Sequence, residues 1–389
     1  MTITPYLPVY RRSNVCMTHG DGAYLIGDDG KRYLDFAAGI AVNAFGHSHP
    51  RLVEVLQKQA ARLWHCSNQF MTAELEEFSQ NLVNATFADS VFFCSSGTEA
   101  VEGGIKFMRR YHHENGQSYR HRIITFDGGF HGRTYGGISA GGNDYARIGF
   151  GQLLNGFDRV VFNDITAVKN TLSKNTAGIL LEPIQGEGGV RAFDIEFLKA
   201  IRTLCDDEGI LLMCDEVQCG YGRPGTLFAF ERAGITPDIC TSAKGIGAGF
   251  PLGAVLVREK VAKAIAVGAH GGTYNNNPLA MAVGNEVLKM MLEKHFLPQV
   301  VKISEALMNG LQVLHKRYPN HIHDVRGVGL MIGLEPVGDA RALSAKLLAH
   351  GLTTAPTVTN VIRLVPPLNI ETSHVQEALS IIETVLQKG

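Results

Sequence analysis

The chain has 389 residues, 45% hydrophobic and 19% charged, enough to bury a sizeable core and long enough for more than one lobe. A formal net charge of −1 gives no electrostatic case for nucleic acid or an anionic membrane surface as a partner. Seven cysteines without a C-x-x-C argue against a disulfide framework or a zinc site, and no apolar run or leader pattern stands out, so a soluble cytoplasmic protein is expected.

Residues 23–36 read as two short strands around the turn Gly27-Asp28-Asp29-Gly30. Apolar strands then alternate with amphipathic helical stretches, the strands at 91–94, 122–126, 159–162, 178–182, 210–215 and 254–257. Such alternation predicts an α/β fold with a mostly parallel sheet and helices on both faces. Ligands bind such sheets beyond the carboxyl ends of the strands, where Ser96, Glu182 and Asp215 fall. A helix is expected after Asn277-Pro278, with proline in its first turn. The last stretch reads as an α+β lobe with strands near Asp324 and Arg363. The expected division is 1–50 as the N-terminal part of a small domain, 51–284 as a large domain and 285–389 as the rest of the small one.

Lys244 lies among small residues, Thr241-Ser242-Ala243-Lys244-Gly245, so little steric bulk guards its ammonium group. Asp215 closes the apolar run 210–214, which holds its carboxylate rigid and half desolvated. A sterically open lysine together with such an acid suits pyridoxal phosphate, which takes a lysine as Schiff base and an acid at its ring nitrogen. Ser96-Gly97-Thr98 follows a strand and opens a helix, a turn able to bind phosphate, though serine and threonine also simply cap helices. Thr273, in Gly271-Gly272-Thr273-Tyr274, is a second phosphate candidate.

Phe130 and Val217 are candidates to sandwich a flat ring, with core packing the commoner fate of a lone Phe. Arg133, in a glycine-rich loop, offers a planar fork for a carboxylate, unless it is an ordinary surface arginine. Gln218 is an amide close enough to Asp215 to reach a ring hydroxyl, and Glu187 sits in the polar turn 186–189. His47 and His49 are read as capping or turn residues, and His112-His113 as solvated. No metal is expected.

These motifs, in this order and over nearly the whole chain from about residue 18, resemble the class III (ornithine-type) aminotransferases. The resemblance rests on Ser96-Gly97-Thr98-Glu99-Ala100, Phe130-His131-Gly132-Arg133-Thr134, Glu182-Pro183-Ile184-Gln185-Gly186-Glu187-Gly188-Gly189, Asp215-Glu216-Val217-Gln218, Ser242-Ala243-Lys244-Gly245 and Thr273-Tyr274. It implies the type I fold of pyridoxal-phosphate enzymes: a mostly parallel seven-stranded sheet in a large domain, with a smaller α+β domain built from both termini. It also implies a homodimer with active sites at the subunit interface.

By the same resemblance Lys244 carries the cofactor, Asp215 holds its ring nitrogen and Gln218 approaches its hydroxyl. Phe130 and Val217 flank the ring, while Ser96, Gly97 and Thr98 hold the phosphate, with Thr273 supplied by the partner subunit. Arg133 would take the α-carboxylate of acetylornithine or glutamate and Arg363 the second carboxylate of glutamate. Glu187 would pair with Arg363 when the donor lacks that group.

The implied reaction is ping-pong transfer of a δ-amino group from acetylornithine to 2-oxoglutarate, in arginine biosynthesis. Free ornithine, N-succinylornithine and N-succinyl-diaminopimelate are the neighbouring donors, and an isomerase or aminomutase is the reading from another class. The sequence departs from the family where Gly272 replaces a common serine, in the run Asn275-Asn276-Asn277, and at Gly103-Gly104. Each of that last pair costs a helix about 1 kcal/mol relative to alanine.

Overall fold

The computed structural model describes residues 5–388. Its centre is a seven-stranded sheet in the order Ser90–Cys94, Gly253–Val257, Ile239–Ala243, Leu211–Asp215, Thr176–Leu181, Arg122–Phe126, Phe157–Val160. All neighbouring pairs are parallel except the two made by Gly253–Val257, which runs against both its partners. The three central strands are buried along their whole length, as strands covered by helices on both faces must be.

Ile239–Ala243 was not among the expected strands, because Cys-Thr-Ser-Ala has neither an apolar run nor an alternation. Burial between Leu211–Asp215 and Gly253–Val257 makes it a strand: its N–H and C=O groups find partners on both sides. The edge strand expected at 159–162 forms two residues earlier, at Phe157–Val160, because it pairs Phe157 with Ile123 and Val160 with Phe126.

Gly103 and Gly104, costly for helix formation alone, are explained by packing. A Cβ on Gly104 would come within 2.4 Å of Met213 Cε, and one on Gly103 within 3.1 Å of Val255. Two glycines thus let the helix Gly97–Glu114 lie close on the sheet. The helix Pro278–Met291 forms as expected, with the Asn277 side chain accepting from Leu279 and Ala280 N–H.

Away from the large sheet, the N-terminal strands Met17–Asp21, Tyr24–Gly27 and Arg32–Asp35 are joined by Leu352–Thr353 in one sheet. Chain ends far apart in sequence are therefore built together. Ile322–Val328, Met331–Pro336, Ile362–Leu364 and Ala355–Pro356 form a second four-stranded sheet. No described helix is long and apolar enough to cross a membrane.

Candidate active site

Parallel strands bring their carboxyl ends to one edge, and Ser95, Ser96, Glu182, Asp215 and Lys244 follow or close four of them. The antiparallel Gly253–Val257 presents its beginning there instead, so Gly249, Phe250, Pro251 and Leu252 reach the same place. The result is a cavity of about 420 Å³. It is lined by Ser96, Gly97, Thr98, Phe130, Arg133, Asp215, Val217, Gln218 and Lys244, nine of the residues singled out from sequence.

Asp215 is 2% exposed and fully engaged. One carboxylate oxygen accepts from His131 Nδ1 at 2.8 Å; the other accepts from Val217 N–H and the Thr241 hydroxyl, both at 3.1 Å. Burial alone would pull the His131 imidazole down, but the hydrogen bond and charge of Asp215 outweigh it and leave it raised. Glu182, receiving Phe130 N–H at 2.8 Å and Gly186 N–H at 3.3 Å, is pushed by burial up to about 7. His131 and Glu182 are therefore parts of the site for which sequence reasoning assigns no role. A signal existed for Glu182, which ends an apolar run as Asp215 does. None existed for His131, whose partner lies 84 positions away.

Lys244 has φ +52°, a left-handed conformation rare for a side-chain-bearing residue. Burial draws its ammonium down to about 8, and the Arg363 cation adds to the shift. No ion pair or hydrogen bond holds its Nζ among the described residues. A buried, uncommitted amine that sheds its proton near neutral pH is both a nucleophile and a base.

Ser96 caps the Gly97–Glu114 helix. Its hydroxyl accepts from Glu99 N–H, and the Glu99 carboxylate in turn accepts from Ser95 N–H and the Ser96 hydroxyl, each at 2.9 Å. The capping reading and the phosphate reading share one turn, because first-turn N–H groups that no helical carbonyl can reach remain open to an anion. A Cβ on Gly97 would fall 2.7 Å from Val217, and one on Gly132 2.4 Å from the Thr98 hydroxyl, so both glycines keep the cavity open.

Glu187 and Arg363 stand beside the cavity. Arg363, 1% exposed, donates to Gln218 Oε1 at 2.9 Å and pairs with Glu187 at 2.6 Å. Gln218 is thereby tied to the arginine as well as facing the cavity. Arg133 is exposed at the mouth, its guanidinium 5.8 Å from the Phe130 ring centroid. Gly272 and Thr273 are exposed and line no part of this cavity.

Two histidine expectations change. His112 is not solvated: it is fully buried, its Nε2 2.7 Å from the Ala177 carbonyl, because the helix face it occupies packs on the sheet. His47 is an anchor, its Nε2 2.7 Å from the buried Asp35 carboxylate. Burial pushes that carboxyl up, but bonds from His47, Thr353 and Ala38 hold it below the usual range. The same carboxylate fixes residues 38–41, four consecutive positive-φ residues that lead into Val42 of the cavity wall. No group of three His, Cys, Asp or Glu residues suited to a metal occurs among the described residues.

A family model for class III aminotransferases matches residues 8–386. The chain belongs to that family. It is 49% identical over 387 residues to the acetylornithine aminotransferase of Brucella melitensis, covering 100% of this chain and 96% of that protein. Among solved structures it resembles the N-acetylornithine aminotransferase of Stenotrophomonas maltophilia, with TM-score 0.85, 36% identity and coverage of 97% and 96%. The ornithine aminotransferase of Toxoplasma gondii superposes with TM-score 0.94 at 29% identity, covering 99% and 92%. An amine transaminase from an uncultivated Pseudomonas species, described in its pyridoxal-phosphate-bound form, gives 0.92 at 28%, covering 100% and 99%.

The protein is thus a pyridoxal-phosphate-dependent aminotransferase, and its cavity fits the cofactor. It offers an unpaired buried lysine, a buried carboxylate with a raised imidazole behind it, and a helix start kept clear by Gly97. When bound, the cofactor supplies an electron sink for the carbon that carries the amino group.

Proposed function

We propose that this aminotransferase moves the δ-amino group of N-acetylornithine to 2-oxoglutarate, giving N-acetylglutamate semialdehyde and glutamate by ping-pong turnover, as a step of arginine biosynthesis. The observation that carries the reading is the Glu187–Arg363 pair at 2.6 Å. Two unlike donors must share one site. Glutamate brings a second carboxylate for Arg363; acetylornithine brings none, and a buried arginine left alone costs several kcal/mol. Glu187 neutralises it in that case and, being partly exposed, is free to swing aside.

In this reading Arg133 at the mouth takes the α-carboxylate, and Gln218 keeps Arg363 in place. Asp215, held by His131, offers its carboxylate to the cofactor's ring nitrogen. Lys244 carries the cofactor, then takes the proton from the amine-bearing carbon. Phe130 and Val217 pack on the ring faces; Ser96, Gly97 and Thr98 receive the phosphate. Thr273 and Gly272 belong to the site of a second copy, so the working unit is a homodimer. The division at about residues 50 and 284, and a cytoplasmic location, are part of the same proposal. The names of the relatives, at up to 49% identity, support the acetylated donor.

Half-reaction spectroscopy tests it: purified holoenzyme is mixed in turn with acetylornithine, N-succinylornithine, ornithine and GABA. Acetylornithine is expected to convert the cofactor fastest. Faster conversion by ornithine or GABA refutes the donor assignment, and a visible lysine-bound cofactor band surviving in Lys244→Ala refutes the role of Lys244. Turnover without 2-oxoglutarate would mark an aminomutase.

A further inference from the structure

A second cavity, of about 390 Å³, opens beside the C-terminal half of the Gly97–Glu114 helix and shares no lining residue with the first. Six of its residues are basic: Lys106, Arg109, Arg110, His113, Arg120 and His121. No carboxylate lines it. Cations near a helix C-terminus are ordinary, because they complement the helix dipole, and that accounts for His113 in the last turn. It does not account for Arg120 and His121, which arrive from the following loop and converge on the same space.

Nor does the protein supply counter-charge. Arg110 pairs with Glu114 at 2.5 Å, and that is the one ion pair any of the six makes among the described residues. Arg109 spends its Nε on the His121 carbonyl and Arg120 its Nη1 on the Glu208 and Gly209 carbonyls. Lys106 Nζ meets only the His270 ring nitrogen, at 2.8 Å. Arg109 Nη2, Arg110 Nε and Arg120 Nε are themselves buried and have no hydrogen-bond partner, so no acceptor of the protein satisfies these cations in full. Four permanent cations around a concave space, with Glu114 paired to Arg110 and Glu102 near enough to act on Arg109, make an incomplete charge set.

We propose that this cavity binds a small oligophosphate anion, of the size of pyrophosphate to a nucleoside triphosphate. The volume lies within the range of small-ligand pockets. Lys106, Arg110 and Arg120 can close on the spread oxygens of a phosphate chain through charge-assisted hydrogen bonds, while Arg109, 5.3 Å from the Phe157 ring centroid, adds its charge from the wall. A single monovalent anion would neutralise only one of the four cations.

The test is isothermal titration of pyridoxal-phosphate-loaded enzyme with tripolyphosphate, with citrate and sulfate as comparison anions at matched ionic strength. The bound cofactor keeps the catalytic phosphate site filled. Expected is saturable tripolyphosphate binding, weakening with salt, and about tenfold or more weaker in Arg109→Gln/Arg120→Gln, the loss of one charge-assisted hydrogen bond or more. Aminotransferase kcat and cofactor content should stay at wild-type values. Lys106→Gln, an exposed position, gives the same direction of change if the double variant folds poorly. No saturable binding overturns the proposal, as does citrate binding equally well. An equal loss in the remote Lys58→Gln/Lys199→Gln variant would mark a net-charge effect and overturn it too.

Discussion

Replacing Gly97 by alanine separates the cofactor site from the fold. The added Cβ would lie 2.7 Å from Val217 Cγ1, 3.2 Å from its Cγ2 and 3.3 Å from Ala243 Cβ. Carbon atoms pack at roughly 3.5–4.0 Å, so Val217 must retreat by about 1 Å. Gly97 and Val217 both line the cavity, and the relief is movement into the space the ring would occupy. Overpacking of this kind costs about 1–3 kcal/mol.

Gly97 has no positive φ, so alanine adds no backbone strain, and its better helix propensity returns up to about 1 kcal/mol. The fold is therefore little affected, while pyridoxal phosphate should bind roughly 5- to 150-fold more weakly, at about 1.4 kcal/mol per tenfold. Reconstitution of apoenzyme with the cofactor, followed by absorbance, measures the affinity, and the apoenzyme melting temperature checks the fold. Gly97→Ala/Val217→Ala should recover most of the loss, because the shortened side chain leaves room for the new methyl. Wild-type affinity in the single variant, or no recovery in the double, would refute the steric argument.

Glu187→Gln should slow the acetylornithine half-reaction by about tenfold or more, since a buried arginine loses its charged partner, while sparing glutamate. Equal losses for both donors would sink the exchange of partners at Arg363. His131→Asn removes a charge-assisted hydrogen bond from Asp215, worth about 1.5–3 kcal/mol, and should lower cofactor affinity and kcat together; unchanged values of both would show that Asp215 holds itself. Glu216, fully buried, is pushed by desolvation from its ordinary 4.5 to about 7, so the folded state holds a proton that the unfolded chain releases. Stability from this group is full below about pH 4.5 and is lost as pH rises through about 7, a change of about 3 kcal/mol at ~1.4 per pH unit. Glu216→Gln should therefore flatten the fall in melting temperature between pH 5 and pH 8, leaving the similar contribution of Glu182; an unaltered slope would exclude Glu216 as its source.

Much of the site was legible because its chemistry is written in short segments. Ser96-Gly97-Thr98 and Asp215-Glu216-Val217-Gln218 each sit where a strand ends, and those ends can be read from apolar runs; Lys244 stood out by its small neighbours. The strand before Lys244 escaped because its side chains are small and polar. Its identity as a strand comes from neighbours on both sides, not from its own pattern. His112 was misread because a helix face next to a glycine pair packs more tightly than its polarity suggests.

The sequence alone determined which atoms are on offer: an amine, an acid, a capped helix start, two arginines and a glutamate. It also determined the sheet class, since runs of apolar residues alternating with helices have few ways to be buried. Only the tertiary structure decided how those atoms behave. The lysine sheds its proton near neutral pH because the fold buries it and sets Arg363 nearby. His131 supports Asp215 because the loop after Arg122–Phe126 reaches past the end of Thr176–Leu181 to that of Leu211–Asp215. Burial and proximity are properties of the packed chain, and no local run of residues contains them.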